Sequence, residues 1–204
     1  MNPGSDRIPG LEDAKRAVEA LTGWGRPTGD ASALVQPRSA ETFRFGDDGA
    51  IPNHPFWPLI VYRAAVRFPD KLDPAAVLED LFHKNGWGGM WRDGIYDYAH
   101  YHSQIHEALG VARGAAEVEF GGAGGRILPL KAGDVAILPA GVGHRRVAAS
   151  KDFLVVGAYP PAGQYDECAK PEDRQGALAR IPATPRPLMD PVYGAEGPLL
   201  SAWT

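Results

Sequence analysis

Hydrophobic and polar residues alternate over short segments through the second half of the chain, with glycine-rich turns between them. A period of two is typical of β-strands. The pattern predicts strands near 95–103, 107–112, 115–120, 126–130, 134–138, 144–149 and 153–159. Residues 153–159, FLVVGAY, are almost all apolar and predict a buried strand. A weaker alternation over 58–66 predicts one earlier strand, FRF at 43–45 another, and GGAGG at 121–125 a hairpin tip.

Other segments have helical features. Apolar residues recur at helical spacing from Leu11 to Leu21 and Gly23 follows, so we predict an amphipathic helix over 11–22. Asp73 and Pro74 form an N-cap and first-turn pair, which predicts a helix that ends near 85–86. A short helix is expected over about 171–181.

Composition favours a turn-rich β protein. The 204 residues include 25 Gly and 19 Pro without a period, and 44% are hydrophobic, which argues against disorder. The net charge is −4 and no basic cluster occurs, so nothing suggests nucleic acid or an anionic membrane as a partner. The first ten residues lack the apolar core of a secretory signal, and Cys168 is the only cysteine. We therefore expect a cytoplasmic protein with no intrachain disulfide.

Candidate metal ligands fall at fixed spacing in two segments. The first runs from Gly94 to Gly114 and contains His100, His102 and Glu107; the second runs from Gly133 through Pro139 and Gly141 to His144. In a strand, residues i and i+2 point to the same face, so His100 and His102 should project together. Three imidazoles and one carboxylate can complete the protein ligands of one divalent transition metal.

These segments resemble the two signature motifs of the cupin superfamily, G-x5-H-x-H-x4-E-x6-G and G-x5-P-x-G-x2-H-x3-N. Every fixed position matches except the last, where Ala148 replaces the Asn, which is not a ligand in that pattern. The resemblance implies an all-β cupin jelly-roll barrel (a double-stranded β-helix) with a few peripheral helices. It also implies one metal held inside by His100, His102, Glu107 and His144.

The resemblance divides one domain into three parts. We expect an N-terminal helix and arm over 1–55, the cupin barrel over 56–160 and a Pro-rich tail packing on the barrel over 161–204. Residues 182–204 contain five prolines, which favours an extended course for the tail. Cupin barrels commonly pair through edge strands, and an arm and a tail suit an interface, so we also expect a homodimer.

The donor set suits Fe, Mn, Ni, Co, Cu or Zn and leaves up to two open coordination positions. Tyr96 and Tyr98 share the strand face of His100 and His102, and Arg146 shares that of His144. These three are candidate catalytic residues of the cavity. The alternatives are ordinary packing for the tyrosines and a solvated surface position for the arginine. Trp87 and Trp91 either cover the mouth of the barrel or pack against the arm or a partner subunit.

Two classes of function remain open. The first is a metal-dependent enzyme acting on a small organic substrate, of dioxygenase, isomerase or decarboxylase type. The second is a cupin that binds a small molecule as a sensor or carrier without turnover. The presence of all four ligand types favours the enzyme, because a barrel that only binds has no need of them.

Overall fold

A computed structural model describes residues 10–204. The first nine residues, on which the expected absence of a secretory signal largely rests, lie outside the described part. The strands of this part are β1 (Ala40–Phe43), β2 (Leu59–Tyr62), β3 (Gly88–Asp93), β4 (Glu107–Arg113), β5 (Ala115–Phe120), β6 (Arg126–Lys131), β7 (Val135–Leu138), β8 (His144–Ala149) and β9 (Leu154–Tyr159). The α-helices are α1 (Leu11–Thr22), α2 (Pro74–Lys84), α3 (Asp173–Arg180) and α4 (Pro198–Ala202).

The strands form two antiparallel sheets. The larger has the order β1-β2-β7-β4-β9-β3, and the smaller has the order β6-β5-β8. Apolar side chains of both sheets meet in one buried cluster that includes Leu59 and Leu109 from the larger sheet and Val118 and Phe120 from the smaller. The predicted all-β jelly roll with peripheral helices is confirmed.

The larger sheet is covered on its other face as well. A second cluster joins Ile60 and Val156 of this sheet to Leu78 and Phe82 of α2 and to Trp203 of the tail. A Cβ atom on Gly110 of β4 would lie 2.9 Å from the side chains of both Leu78 and Phe82, so glycine lets α2 approach the sheet closely. Burial on both faces explains why β2, β7 and β9 are almost continuously apolar.

Most predicted elements are present, and most of their boundaries lie within two residues of those predicted. The helices expected over 11–22 and from 73 are α1 and α2, and the Asp73 carboxylate accepts a hydrogen bond from the backbone of Ala76 at the N-cap. The early strand lies at Ala40–Phe43 rather than at FRF, and it extends the larger sheet from within the predicted arm. The tail is less extended than expected, since α3 and α4 interrupt it.

The strand predicted over 95–103 is wrong. A strand not predicted, β3, precedes this segment and pairs with β9, whereas within the segment His100 and Tyr101 form only single bridges, to His144 and Cys168. The backbone is satisfied in another way: the Asp166 carboxylate accepts hydrogen bonds from the backbone N–H groups of Ser103 and Gln104. Hydrogen bonds from the distant tail therefore replace the strand-to-strand hydrogen bonds that we predicted here. The local alternation of the sequence is the same in both cases.

None of the helices among residues 10–204 combines the length and the apolar character needed to cross a bilayer.

Candidate metal centre

Backbone hydrogen bonds join the two motif segments. The N–H of His100 donates to the carbonyl of His144 at 3.3 Å, and the N–H of His144 donates back to His100 at 2.9 Å. The N–H of Gly141 donates to His102 at 2.7 Å. Gly141 has a φ of 89°, and a Cβ there would lie 2.9 Å from the carbonyl oxygen of Asn53, so this turn requires glycine. The turn brings His144, the first residue of β8, beside His100.

The three candidate imidazoles meet in the interior, and the Glu107 carboxylate faces two of them. One ring nitrogen from each of His100, His102 and His144 lies within 4.8 Å of the others. The Oε2 atom of Glu107, the first residue of β4, lies 3.4 Å from Nε2 of His102 and 3.4 Å from Nε2 of His144. All four residues are buried, with exposures of 2–6%.

The other ring nitrogen of each histidine contacts a backbone carbonyl. Nδ1 of His100 is 3.3 Å from the oxygen of Tyr98, and Nδ1 of His144 is 3.4 Å from that of Val142. Nδ1 of His102 contacts the carbonyl of Asp166. A carbonyl only accepts, so Nδ1 must carry the proton and Nε2 keeps its lone pair. When all three rings are neutral, this tautomer presents three Nε2 lone pairs to one centre, as a metal site requires.

The buried carboxylate supplies the test of whether these residues fit a metal. Among the described residues, Oε2 of Glu107 has no hydrogen-bond partner. A buried, unpartnered anionic oxygen is costly, whereas a cation bound between it and the imidazoles would satisfy it. The donor set, buried and rich in nitrogen, therefore fits a divalent transition metal.

The protonation states of the metal-free cluster are consistent with this fit. Burial raises the pKa of Glu107, but the facing imidazoles, His102 first, lower it to about 2. Burial lowers the pKa of His102, but Glu107 raises it to about 9, so these two form the charged pair. Burial and the neighbouring imidazoles hold the pKa values of His144 and His100 below the usual range. The two neutral imidazoles are in the form that binds a metal.

A cavity of about 500 Å³ opens onto the four ligands. Its other lining residues come from α1, from β3 and the segment after it, and from β4, β9 and the start of the tail: Asp13, Arg16, Met90, Trp91, Arg92, Asp93, Gly94, Ile95, Tyr96, Leu109, Tyr159 and Tyr165. The volume suits a small organic molecule.

Tyr159 occupies the wall beside Glu107. Nε1 of Trp91 donates to its phenol oxygen at 3.0 Å, so the phenol hydrogen must point elsewhere. Burial, and then the charge of Glu107, raise the pKa of Tyr159 above its ordinary value, so the phenol stays protonated. The Trp91 indole reaches this position because Gly157 leaves room: a Cβ there would lie 2.0 Å from the indole ring. The pair fixes one O–H donor in the cavity wall.

The candidate cavity residues differ in their placement. Tyr96 lines the cavity, stacked on Tyr98 with 4.9 Å between ring centroids, and each residue is 42% exposed. Tyr98 itself lies outside the lining, and its hydroxyl donates to Glu167 at 2.9 Å. Arg146 also lies outside it, with its guanidinium 3.8 Å from the carboxylate of Asp97. The irregular course of the segment before His100 removes the strand parity on which the placement of the two tyrosines depended.

The two candidate tryptophans, Trp87 and Trp91, also differ in whether they line the cavity. Trp91 lines the cavity, whereas Trp87 is buried in the core beneath the tail, where its indole donates to the carbonyl of Met189 at 3.0 Å. Sequence reasoning did not identify Tyr159 or Tyr165. Tyr159 ends β9 beside the start of β4, and only the strand pairing of Ala108 with Ala158 brings it next to Glu107.

No family model matches the chain. It is 41% identical over 167 residues to the uncharacterized protein YjlB of Bacillus subtilis, across 81% of this chain and 98% of YjlB. Among solved structures, it is similar to an uncharacterized conserved protein of Klebsiella pneumoniae with a double-stranded beta-helix domain, at 19% identity, over 70% of this chain and 96% of that one, with a TM-score of 0.32.

Two enzymes also appear among the solved structures. The TDP-fucose-3,4-ketoisomerase WlaRA of Campylobacter jejuni is 12% identical over 47% of this chain and 74% of its own, with a TM-score of 0.35. The oxalate decarboxylase OxdC of Bacillus subtilis is 16% identical over 67% of this chain but 29% of its own, with a TM-score of 0.32. Scores this low give no information about substrate or chemistry.

Proposed function

The chain belongs to the cupin superfamily, in one family with YjlB of Bacillus subtilis, and from this premise we propose that it is a metal-dependent enzyme acting on a small organic substrate. We assign the metal to His100, His102, Glu107 and His144. The observation that carries the proposal is the buried, unpartnered Oε2 of Glu107, set among three imidazoles whose Nδ1 atoms all contact backbone carbonyls.

Iron, manganese, nickel, cobalt, copper and zinc all suit this donor set. When bound, the metal supplies Lewis-acid polarisation of a substrate oxygen and lowers the pKa of a bound water. The chain's own contribution to the metal site is to hold three neutral imidazoles and one carboxylate in a fixed arrangement and to bury them from solvent.

Tyr159 is the residue that we propose for proton donation or substrate orientation. Its oxygen accepts a hydrogen bond from Trp91, so its O–H can donate, and Glu107 beside it is one acceptor within reach. A neutral phenol there donates a hydrogen bond to a substrate oxygen held over the ligands. Tyr96 and Tyr165 offer two further phenols and aromatic surface to the organic part of the substrate. We do not extend this role to Tyr98 and Arg146, whose polar groups face Glu167 and Asp97.

We also propose that the protein is a homodimer. Four edge strands of the two described sheets, β1, β3, β6 and β8, have one side without a strand partner. Such edges are commonly covered by loops or by a second subunit.

The metal assignment is tested with purified wild type, the His144→Ala variant and a His83→Ala control, since His83 is exposed at the end of α2. Each protein is stripped with a chelator and reloaded separately with each of the six metals. Elemental analysis should give one equivalent per chain for wild type and for the control, and about one tenth of that or less for His144→Ala. Wild type that retains none of the metals in stoichiometric amount would rule out the assignment.

The enzymatic part needs a separate assay. Loaded wild type and a Tyr159→Phe variant are screened against small carboxylic acids, sugars and phenols. Oxygen consumption reports a dioxygenase, and carbon dioxide release reports a decarboxylase. Conversion of the substrate to a product of the same mass reports an isomerase. Turnover by wild type that falls at least tenfold in Tyr159→Phe supports the proposal. Saturable binding of a compound without any conversion would instead identify a sensor or carrier.

A further inference from the structure

Helix α1 turns its apolar face outward to solvent and its charged face inward to the protein. Its outer face carries Leu11, Val18 and Leu21, which are 53%, 51% and 87% exposed, and Trp24 just beyond the helix is 68% exposed. Glu19, in contrast, is completely buried. None of residues 11–22 belongs to a buried apolar cluster of the described chain. An amphipathic helix on a globular protein normally turns its apolar stripe inward.

Ion pairs attach the charged face of α1 to the body. The carboxylate of Glu19 lies 2.7 Å from the guanidinium of Arg92, and Nζ of Lys15 lies 2.6 Å from the carboxylate of Asp73. Two further pairs join Arg16 to Glu79 at 3.0 Å and Glu12 to Arg113 at 2.5 Å. These charged partners fix which way the helix faces, so the outward position of the apolar stripe follows from the fold.

The outer stripe has the size of an interface core. The four large side chains and the alanines between them expose on the order of 400 Å² of apolar surface. A standard interface buries about 800 Å² per partner, of which a little over half is apolar. The stripe therefore supplies most of the apolar surface that one partner of a stable dimer needs.

The charges around the stripe favour a protein partner over a lipid surface. Helices that lie on anionic membranes carry Lys and Arg beside the apolar face. In α1 the basic residues, Lys15 and Arg16, are both engaged inward with Asp73 and Glu79. Small residues, Ala14 and Ala17, stand between the larger ones and allow a second helix to approach closely.

We propose that this stripe docks on the same stripe of a second copy of the chain, with the two α1 helices packed across a two-fold axis. The inference rests on the homodimer proposed above and places its interface on α1 rather than on a sheet edge. A self-complementary patch on one helix is what a two-fold contact requires. Asp13 and Arg16 of the same helix line the metal cavity, so the dimer contact also supports one wall of that cavity from behind.

The test compares Leu21→Asp with Leu188→Asp. Leu188 is a matched control because it is 84% exposed in the tail, against 87% for Leu21. Sedimentation equilibrium is measured from 1 to 200 µM on all three proteins, with circular dichroism to verify folding. Wild type and the control should have twice the chain mass of 21.9 kDa, and Leu21→Asp should dissociate with a Kd raised at least tenfold.

The failures are distinguishable. A monomeric wild type would refute both the homodimer and this interface. A dimer that Leu21→Asp leaves intact would refute the interface alone and assign pairing to another surface, such as a sheet edge. Binding of monomeric wild type to phosphatidylserine vesicles, lost in Leu21→Asp, would identify the stripe as a membrane surface and would equally overturn the proposal.

A cross-link tests the contact without disturbing it. Ala17 lies near the middle of α1, close to the expected two-fold axis, and the native Cys168 is buried. An Ala17→Cys variant should form an interchain disulfide in mild oxidant at low micromolar concentration, whereas Leu188→Cys should not. Equal cross-linking of the two variants would count against an α1 contact.

Discussion

Replacing Glu107 by glutamine removes the only negative charge among the four candidate ligands while preserving the shape of the side chain. The wild-type carboxylate is 2% exposed, and Oε2 has no hydrogen-bond partner among the described residues. We expect Glu107→Gln to lower the affinity for the metal at least 100-fold. That factor corresponds to about 2.7 kcal/mol.

Glu107→Gln should change the stability of the metal-free protein much less than it changes the affinity for the metal. With His102 protonated, the pair at 3.4 Å is worth about 5 kcal/mol of Coulomb attraction at an effective dielectric constant of about 20. Burial of the two ions costs several kcal/mol each, and burial favours a neutral His102 once the carboxylate is gone, so no unpaired buried charge remains. We therefore expect the unfolding free energy of the chelated protein to change by no more than about 2 kcal/mol. For a chain of this length that is a shift in Tm below about 8 °C.

Calorimetric titration of metal into chelated protein measures the first quantity, and thermal unfolding in the presence of chelator measures the second. Glu117→Gln is the matched control, because Glu117 is exposed on β5 and its replacement removes the same charge. An unchanged metal Kd in Glu107→Gln would refute the ligand assignment. Loss of cooperative unfolding in the chelated variant would mean that the charged pair, and not the apolar core, maintains this end of the fold.

Three further results are expected. Gly110→Val should destabilise the fold by about 1–3 kcal/mol in urea unfolding, since even a Cβ lies 2.9 Å from Leu78 and Phe82; an unchanged midpoint would contradict this packing. Trp91→Phe should lower turnover through Tyr159 while leaving the metal Kd within about threefold, because it removes the indole N–H that orients the phenol and leaves the metal ligands in place; equal losses of both would point to general disruption. The backbone N–H groups of Ile51 and Ala123 outweigh burial and hold the pKa of Asp48 below 3.8, so its stabilisation is complete above the unfolded pKa and lost as pH falls through the folded one. Wild type should therefore lose Tm more steeply than Asp48→Asn as the pH falls below about 4, and parallel curves would disprove the linkage.

The sequence could predict the jelly roll and the convergence of three imidazoles because both depend on short-range features. Strand alternation and turn residues locate most strands, and the spacing from His100 to Glu107 is contained in one segment. The structure brings His144 to the same centre through paired backbone hydrogen bonds with His100. The neighbourhood of these residues was less predictable. Tyr159 faces Glu107 only because β4 pairs with β9 in one register, and register is a long-range property.

The orientation of α1 also depends on long-range contacts that a local sequence pattern does not determine. Periodicity from Leu11 to Leu21 predicts a helix and an apolar stripe, and both are present. Which face turns inward depends on charges elsewhere in the chain, above all Arg92, whose buried guanidinium contacts the carboxylates of Glu19 and Glu79. An inward apolar face would leave that guanidinium without Glu19, one of its buried carboxylate partners, and removing one partner of a buried pair costs about 3–5 kcal/mol. Exposing three apolar side chains costs a comparable amount, and a second subunit that covers them removes most of this cost. The inverted helix is therefore best explained as one half of an interface.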